Sequence, residues 1–284
     1  MLITLAHSPD SDDAFMFYAL AKNRIHSDSY HFEHILKDIE TLNQSAEKEI
    51  YDISAISLHV YPFISKHYQI LPCGGSVGNN YGPMIISRKN FTQKEFLEKF
   101  RGVNNHRIIA IPGEKTTAFL TLKLLLGEFR YQVTPFDQII PQVLEGKADA
   151  GLIIHEGQLN YSEWGLYAII DLGNWWKKET GLPLPLGANV IRRKLGQKII
   201  YEITDLIRKS IEYGLSKENK EEALKYSMQF ARGLNEQDAE KFIQMYVNHH
   251  TVQFDLECIE AINLLFQKGK EIGLLPKLER ISLP

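Results

Sequence analysis

Several large protein classes are excluded by what this chain has little of. Cysteine occurs twice in 284 residues, at Cys73 and Cys258. Neither has a second Cys or His at metal-ligand spacing, so no zinc site and no disulfide framework is expected, and both thiols read as buried and idle. An excess of one charge is missing too. Thirty-two basic against 35 acidic side chains leave a formal net charge of -3, which offers no field to recruit nucleic acid or an anionic membrane. No run approaches the ~20 apolar residues that cross a bilayer. The stretch from Met1 to Asp10 has no Lys or Arg ahead of a hydrophobic run that is too short for a signal peptide, which makes the cytoplasm the simplest location. There is no Gly-Lys-Ser/Thr phosphate loop and no Gly-x-Gly-x-x-Gly after a strand, so NTP and dinucleotide binding are poor expectations. A small-molecule partner remains.

What is present suits a globular protein with a substantial core. Hydrophobic residues make up 44% and charged residues 24%, and the length fits two ordinary domains or one large one. The first half alternates strand-like and helix-like patterns, which predicts an α/β fold with a mainly parallel sheet covered by helices. Leu2 to Ala6 reads as a strand, His7 to Asp13 as a polar turn whose acids cap a helix over Ala14 to Ala21, and Asp52 to Ser57 as a second strand. Further strands are predicted over Tyr68 to Pro72 and Met84 to Ser87. A second block from about residue 90 repeats the unit: strand Arg107 to Ile111, turn Pro112 to Thr117, helix Ala118 to Phe129, helix Phe136 to Glu145 and strand Ala150 to Ile154. Gly181 to Gly187 reads as a Pro- and Gly-rich loop between domains, and from residue 197 the chain predicts three or four amphipathic packing helices. The order implies a two-lobed clamp: residues 1–88 and 189–284 as a first, discontinuous lobe, and 89–188 as an inserted second one.

His155 is the most informative candidate. It ends the apolar run from Ala150 to Ile154, and a strand that ends in His-Glu-Gly delivers an imidazole to the sheet rim, where ligands of α/β proteins sit. The plain alternative is a capping or hydrogen-bonded histidine. Thr116, Thr117 and Ala118 follow Pro112-Gly113 at a helix start, where unpaired backbone amides hold a carboxylate or phosphate and a threonine hydroxyl can add a donor; Thr116 is equally read as an N-cap. Ser54 and Ser57 bracket a strand end whose hydroxyls could meet a ligand, with no Gly-x-Ser-x-Gly elbow to make either a nucleophile. Asp10, Asp12 and Asp13 are better explained by first-turn helix electrostatics than by a metal. Trp164, Trp175 and Trp176 read as packing first and as ring-facing residues second.

Together, Asp149-Ala-Gly-Leu-Ile-Ile-His-Glu-Gly157, Gly181-Leu-Pro-Leu-Pro-Leu-Gly-Ala188, Tyr81-Gly-Pro83, Thr116-Thr-Ala118 and the Ser8-Pro turn leading to Phe15 resemble the 1,4-dihydroxy-6-naphthoate synthases of the futalosine route to menaquinone. The resemblance spans most of the first 190 residues. It implies a type II periplasmic-binding-protein-like clamp with a helical C-terminal segment. It further implies a lyase without metal or organic cofactor that converts cyclic dehypoxanthine futalosine to 1,4-dihydroxy-6-naphthoate and a small sugar-derived fragment. It gives His155 the role of base, and it places the substrate against Ala55, Ile56 and Ser57 and against Thr117 and Ala118, whose helix-start amides would hold its carboxylate. The family usually reads Ser-Pro-Cys-Pro-Asn-Asp-Thr-Phe near its start, whereas Asp12 and Ala14 stand in this chain's version. The additional carboxylate either repels an anionic substrate or contacts a hydroxyl. Two other readings stay open: a non-catalytic small-anion binding protein on the same clamp, and the sister enzyme chorismate dehydratase. The oligomeric state has no signal in the sequence.

Overall fold

Short apolar strands joined by helices build two mixed sheets, seen in a computed structural model that describes residues 1–231, 234–281 and 283. The first sheet runs in the order β2 (His31–Leu36), β1 (Leu2–His7), β3 (Ile53–Ser57), β11 (Leu184–Arg192) and β4 (Tyr68–Ile70), with β5 (Ser76–Gly78) also paired to β11. The second has the order β10 (Tyr167–Asp171), β6 (Met84–Ser87), β9 (Ala150–Ile153), β7 (Ile109–Ile111) and β8 (Tyr131–Val133).

Each sheet has a parallel trio, β2-β1-β3 in one and β8-β7-β9 in the other. The strands next to the crossings, β6 and β11, run antiparallel to their neighbours β9 and β3. The expectation of a mainly parallel sheet is therefore corrected. A chain that leaves one sheet for another and returns enters each neighbour from the opposite end, and this reverses its direction.

The expected lobe boundaries also shift. Met84–Ser87 belongs to the second sheet, and β11 already pairs with β5 of the first sheet at Leu184. The crossings thus lie between Gly78 and Met84 and between Thr180 and Leu184, rather than at 88 and 189. The Pro- and Gly-rich segment expected as a loop is the start of β11, with a register shift between Pro185 and Gly187 where the proline cannot donate. At the first crossing the chain is squeezed: a Cβ on Gly78 or on Gly173 would collide with the Tyr81 carbonyl oxygen, so both positions need glycine.

Apolar packing joins the lobes. One core contains Ile56, Ala188 and Val190 from the first sheet, Ile85, Ile109 and Leu152 from the second, and Phe254, Ile262 and Leu265 from the C-terminal region. Helix Leu256–Glu271 packs on both β11 and helix Thr117–Leu126, so the segment 189–284 is not confined to the first lobe; residues 232, 233, 282 and 284 of that span lie outside the described residues. A second core sets Ile3, Leu5, Phe15 and Phe17 against Ile203, Ile207 and Ile211 of helix Gln197–Leu215. Each such side chain contributes about 1.5–3 kcal/mol when buried, and this fixes helix Ser11–Ala21 and the acidic turn before it. Among the described residues no helix is long and apolar enough to cross a membrane.

Candidate active site

A cavity opens where strand ends and helix starts of both sheets converge. Its lining includes Ala55, Ile56 and Ser57 at the end of β3, Leu186 to Ala188 of β11, and Thr116, Thr117 and Ala118. All five residues expected to meet a substrate, Ala55, Ile56, Ser57, Thr117 and Ala118, are thus on its wall. Thr116 is the N-cap of helix Thr117–Leu126, its hydroxyl accepting from Phe119 N. This leaves the amides of Thr117 and Ala118, the first two helical positions, without an intrahelical acceptor.

This wall is held rigidly. Asn43 accepts from Ser57 N at 2.8 Å, and its side-chain amide donates to Ser57 Oγ at 3.1 Å and to the Lys115 carbonyl at 3.3 Å. The Thr117 hydroxyl donates to the Leu186 carbonyl at 2.6 Å and accepts from His59 N. It was expected as a spare ligand donor; it is instead a clasp between lobes. His59 Nδ1 donates to the Thr116 carbonyl at 3.2 Å, and burial pushes the ring's pKa down to about 4, so it stays neutral. Ser54 is wholly buried, bonded to the Ala55 carbonyl and absent from the cavity wall.

The opposite wall is acidic. Asp10, Asp12 and Asp13 line it beside Ser8. The expected cap is absent: Asp10 is the N-cap residue of helix Ser11–Ala21 with no side-chain cap bond, and Asp13 accepts from Ser8 N at 2.7 Å. Behind them lies Glu156, 1% exposed, which takes a hydrogen bond from Ser11 across the lobes at 3.2 Å. Burial, then the charges of Asp13, Asp10 and Glu156, push the Asp12 carboxyl well up. Burial likewise raises Asp13 to about 7, and burial with the Asp10 charge raises Glu156 to about 7. Carboxyls this close cannot all ionise together at neutral pH. Asp10 Oδ1, Glu156 Oε2 and Gln158 Nε2 are buried there without a partner among the described residues.

His155 is not on the cavity wall, although Ile154 and Gln158 on either side of it are. Its Nε2 donates to the Phe136 carbonyl at 3.0 Å, and its Nδ1 accepts from Gly157 N at 3.0 Å. The ring ties the end of β9 to the next helix, Gly157–Asn160, which is the hydrogen-bonding alternative read from the sequence. Both nitrogens being engaged fixes the tautomer with the proton on Nε2.

Other positions were missed. Phe242 and Tyr246 come from the tail expected only to pack, yet both line the cavity, and the Tyr246 hydroxyl donates to Gln158 Oε1 at 3.0 Å. Glu156 sits beside His155 in sequence and carried the signal of a carboxylate at a strand end. Of the tryptophans, Trp176 is buried and donates to the Pro183 carbonyl, Trp164 is 46% exposed, and none lines the cavity. Away from the cysteine-centred reading, the fold brings ligand atoms of His249, His250 and Asp255 within 4.8 Å of one another.

Fold and cavity define the class: a two-lobed α/β clamp of the periplasmic-binding-protein type. An alkanesulfonate-binding protein from Xanthomonas axonopodis superposes with a TM-score of 0.71 at 11% identity, covering 97% of this chain and 94% of that one. A crystal structure of a protein from Archaeoglobus fulgidus is much more similar, with a TM-score of 0.89 and 40% identity over 96% of this chain and 98% of that chain. The chain belongs to the menaquinone biosynthesis family, whose model matches residues 3–271. Two curated relatives are 1,4-dihydroxy-6-naphthoate synthases: one from Thermus thermophilus, 35% identical over 96% of this chain and 95% of the relative, and one from Streptomyces coelicolor, 33% identical over 97% and 95%.

Proposed function

We propose that this protein is a carbon–carbon lyase that converts cyclic dehypoxanthine futalosine to 1,4-dihydroxy-6-naphthoate. The observation that carries the reading is that Thr117 and Ala118, the first residues of their helix, line the cavity between the sheets, where helix-start amides are a fixed pair of donors to the substrate carboxylate. The relatives' shared name, 1,4-dihydroxy-6-naphthoate synthase, supports the product.

In this reading the carboxylate is anchored on the amide wall, with the ring system against Ala55, Ile56 and Ala188 and the sugar-derived part toward the acidic wall. Carbon–carbon cleavage driven by aromatisation needs a proton removed and a developing oxyanion stabilised. His155 is the proposed base. That role requires the ring to release the Phe136 carbonyl and the Gly157 amide and to turn into the space beside Ile154 and Gln158 when substrate binds.

A second assignment rests on a specific observation: both ring nitrogens are held by main chain, while Asp12 already faces the cavity with a raised pKa. Under that assignment a carboxyl of the acidic wall moves the proton and His155 only positions the loop. Incubating purified protein with cyclic dehypoxanthine futalosine, with mass detection of the naphthoate, tests the function. Product at catalytic turnover supports the lyase. Tight retention of the compound unchanged supports the solute-binding alternative.

A further inference from the structure

Away from the cavity, two imidazoles and a carboxylate meet where the short helix His249–Val252 turns into helix Leu256–Glu271. The rings of His249 and His250 lie 3.7 Å apart between centroids. His250 Nδ1 stands 3.3 Å from Asp255 Oδ2. The other carboxylate oxygen, Oδ1, is taken by helix capping, accepting from Cys258 N at 2.8 Å, so Oδ2 is the one left to face the histidines. Ligand atoms of all three residues fall within 4.8 Å of one another.

We propose that His249, His250 and Asp255 bind a divalent transition metal of the zinc type. Two imidazoles and one carboxylate are a donor set that zinc takes, with the fourth position open to water or to Cys258 Sγ, 3.1 Å from His250 Nδ1. The spacing suits it. Bonds of about 2.0–2.1 Å to nitrogen and oxygen in a tetrahedron put neighbouring ligand atoms about 3.3 Å apart, which is the His250-to-Asp255 separation found here. Closing the site asks mainly for a small shift of the exposed His249. His250 is the buried member, so its ring is held in place by packing before any ion binds.

The site lies apart from the substrate cavity. None of its three residues lines the cavity. The segment that carries them is pinned to the first lobe, with Gly74 N donating to the Thr251 carbonyl at 2.7 Å and Phe254 N to the Pro72 carbonyl at 2.8 Å. Gly74 is on the cavity wall. A bound ion therefore braces the C-terminal helices against the loop that forms one side of the cavity.

Zinc chloride titrated into metal-stripped full-length protein by calorimetry tests this. The expected result is one equivalent bound with a Kd of about 10 µM or tighter. Ion in hundred-fold excess over Kd should raise the thermal midpoint by about 5 °C. His249→Ala and Asp255→Asn should each weaken binding at least about ten-fold. Both are expected to fold, because His249 is exposed and asparagine still caps the helix. His26→Ala, at an exposed histidine elsewhere, should bind as wild type does. Absence of binding, or the same affinity in the His249 and Asp255 variants as in wild type, overturns the proposal.

Discussion

The two walls of the cavity are built on opposite principles. On the Ser57–Thr117 side nearly every polar group is already spoken for: Asn43 clamps Ser57, the Thr117 hydroxyl clasps Leu186, and a neutral His59 holds Thr116. What is left over is a pair of helix-start amides. On the Asp12–Glu156 side burial forces carboxyls together and leaves Asp10 Oδ1, Glu156 Oε2 and Gln158 Nε2 without partners among the described residues. One wall is preorganised for a single charge and needs no ligand for its own stability. The other costs folding energy until something enters it or protons neutralise it.

The largest expected effect separates the two assignments of the base. If His155 is the base, His155→Ala lowers kcat by about 10²–10⁴ with KM little changed, since general-base action is worth that much. If the acidic wall moves the proton, the same variant loses stability through the Gly157 and Phe136 bonds and keeps kcat within about ten-fold once the folded fraction is equalised. Steady-state kinetics beside a melting curve reads both numbers.

Next comes substrate affinity against pH. Asp13 and Glu156 titrate near 7, so raising the pH through that value adds negative charge to a cavity proposed to bind an anion. KM should rise between pH 6 and 8 by up to about ten-fold, and Asp13→Asn should flatten the rise. An unchanged slope in the variant removes Asp13 from the electrostatics of binding.

Stability should follow the same wall with a definite sign. Glu156 has a folded pKa of about 7 against an ordinary 4.5, so the folded state holds more protons than the unfolded one between these values. Stability from this group is greatest below pH 4.5 and is lost as pH rises toward 7, by about 3 kcal/mol. Glu156→Gln should therefore be more stable than wild type at pH 8 and nearly equal to it at pH 4.5. The variant difference is the quantity to measure, because buried His7 and half-buried His34, pushed down to about 3 and about 4 chiefly by burial, add a slope of the opposite sign to the wild-type profile below about pH 6.5. Ser57→Ala, on the satisfied wall, should cost only about 1 kcal/mol at any pH.

The preorganised wall was the more legible of the two in sequence. A strand ending in Ser57 and a Pro-Gly turn before Thr116 and Ala118 are local patterns, and local patterns place strand ends and helix starts at a sheet rim. The Ser8 to Phe15 turn was visible, but its energetics depend on Glu156, 145 residues beyond Ser11. The reach of Phe242 and Tyr246 into the cavity is set by how helix Glu236–Tyr246 docks, which periodicity does not encode. Edge strand β2, with its mixed exposure, lacked a buried apolar run, and β11 was hidden by Pro183 just before it and by Pro185, which pairs antiparallel with Val77 of β5. His155 shows the limit most clearly. The apolar run placed its backbone at the rim, but the ring's direction depended on two main-chain partners that no spacing revealed.

The claim that the helix-start amides seat the substrate's acid group is tested most directly by comparing turnover of cyclic dehypoxanthine futalosine with that of its carboxamide analogue. The account predicts that the neutral analogue shows a KM raised by about ten- to a hundred-fold, for the loss of one charge-assisted contact worth about 1.5–3 kcal/mol, with kcat largely retained. Equal KM values for the two compounds would contradict it.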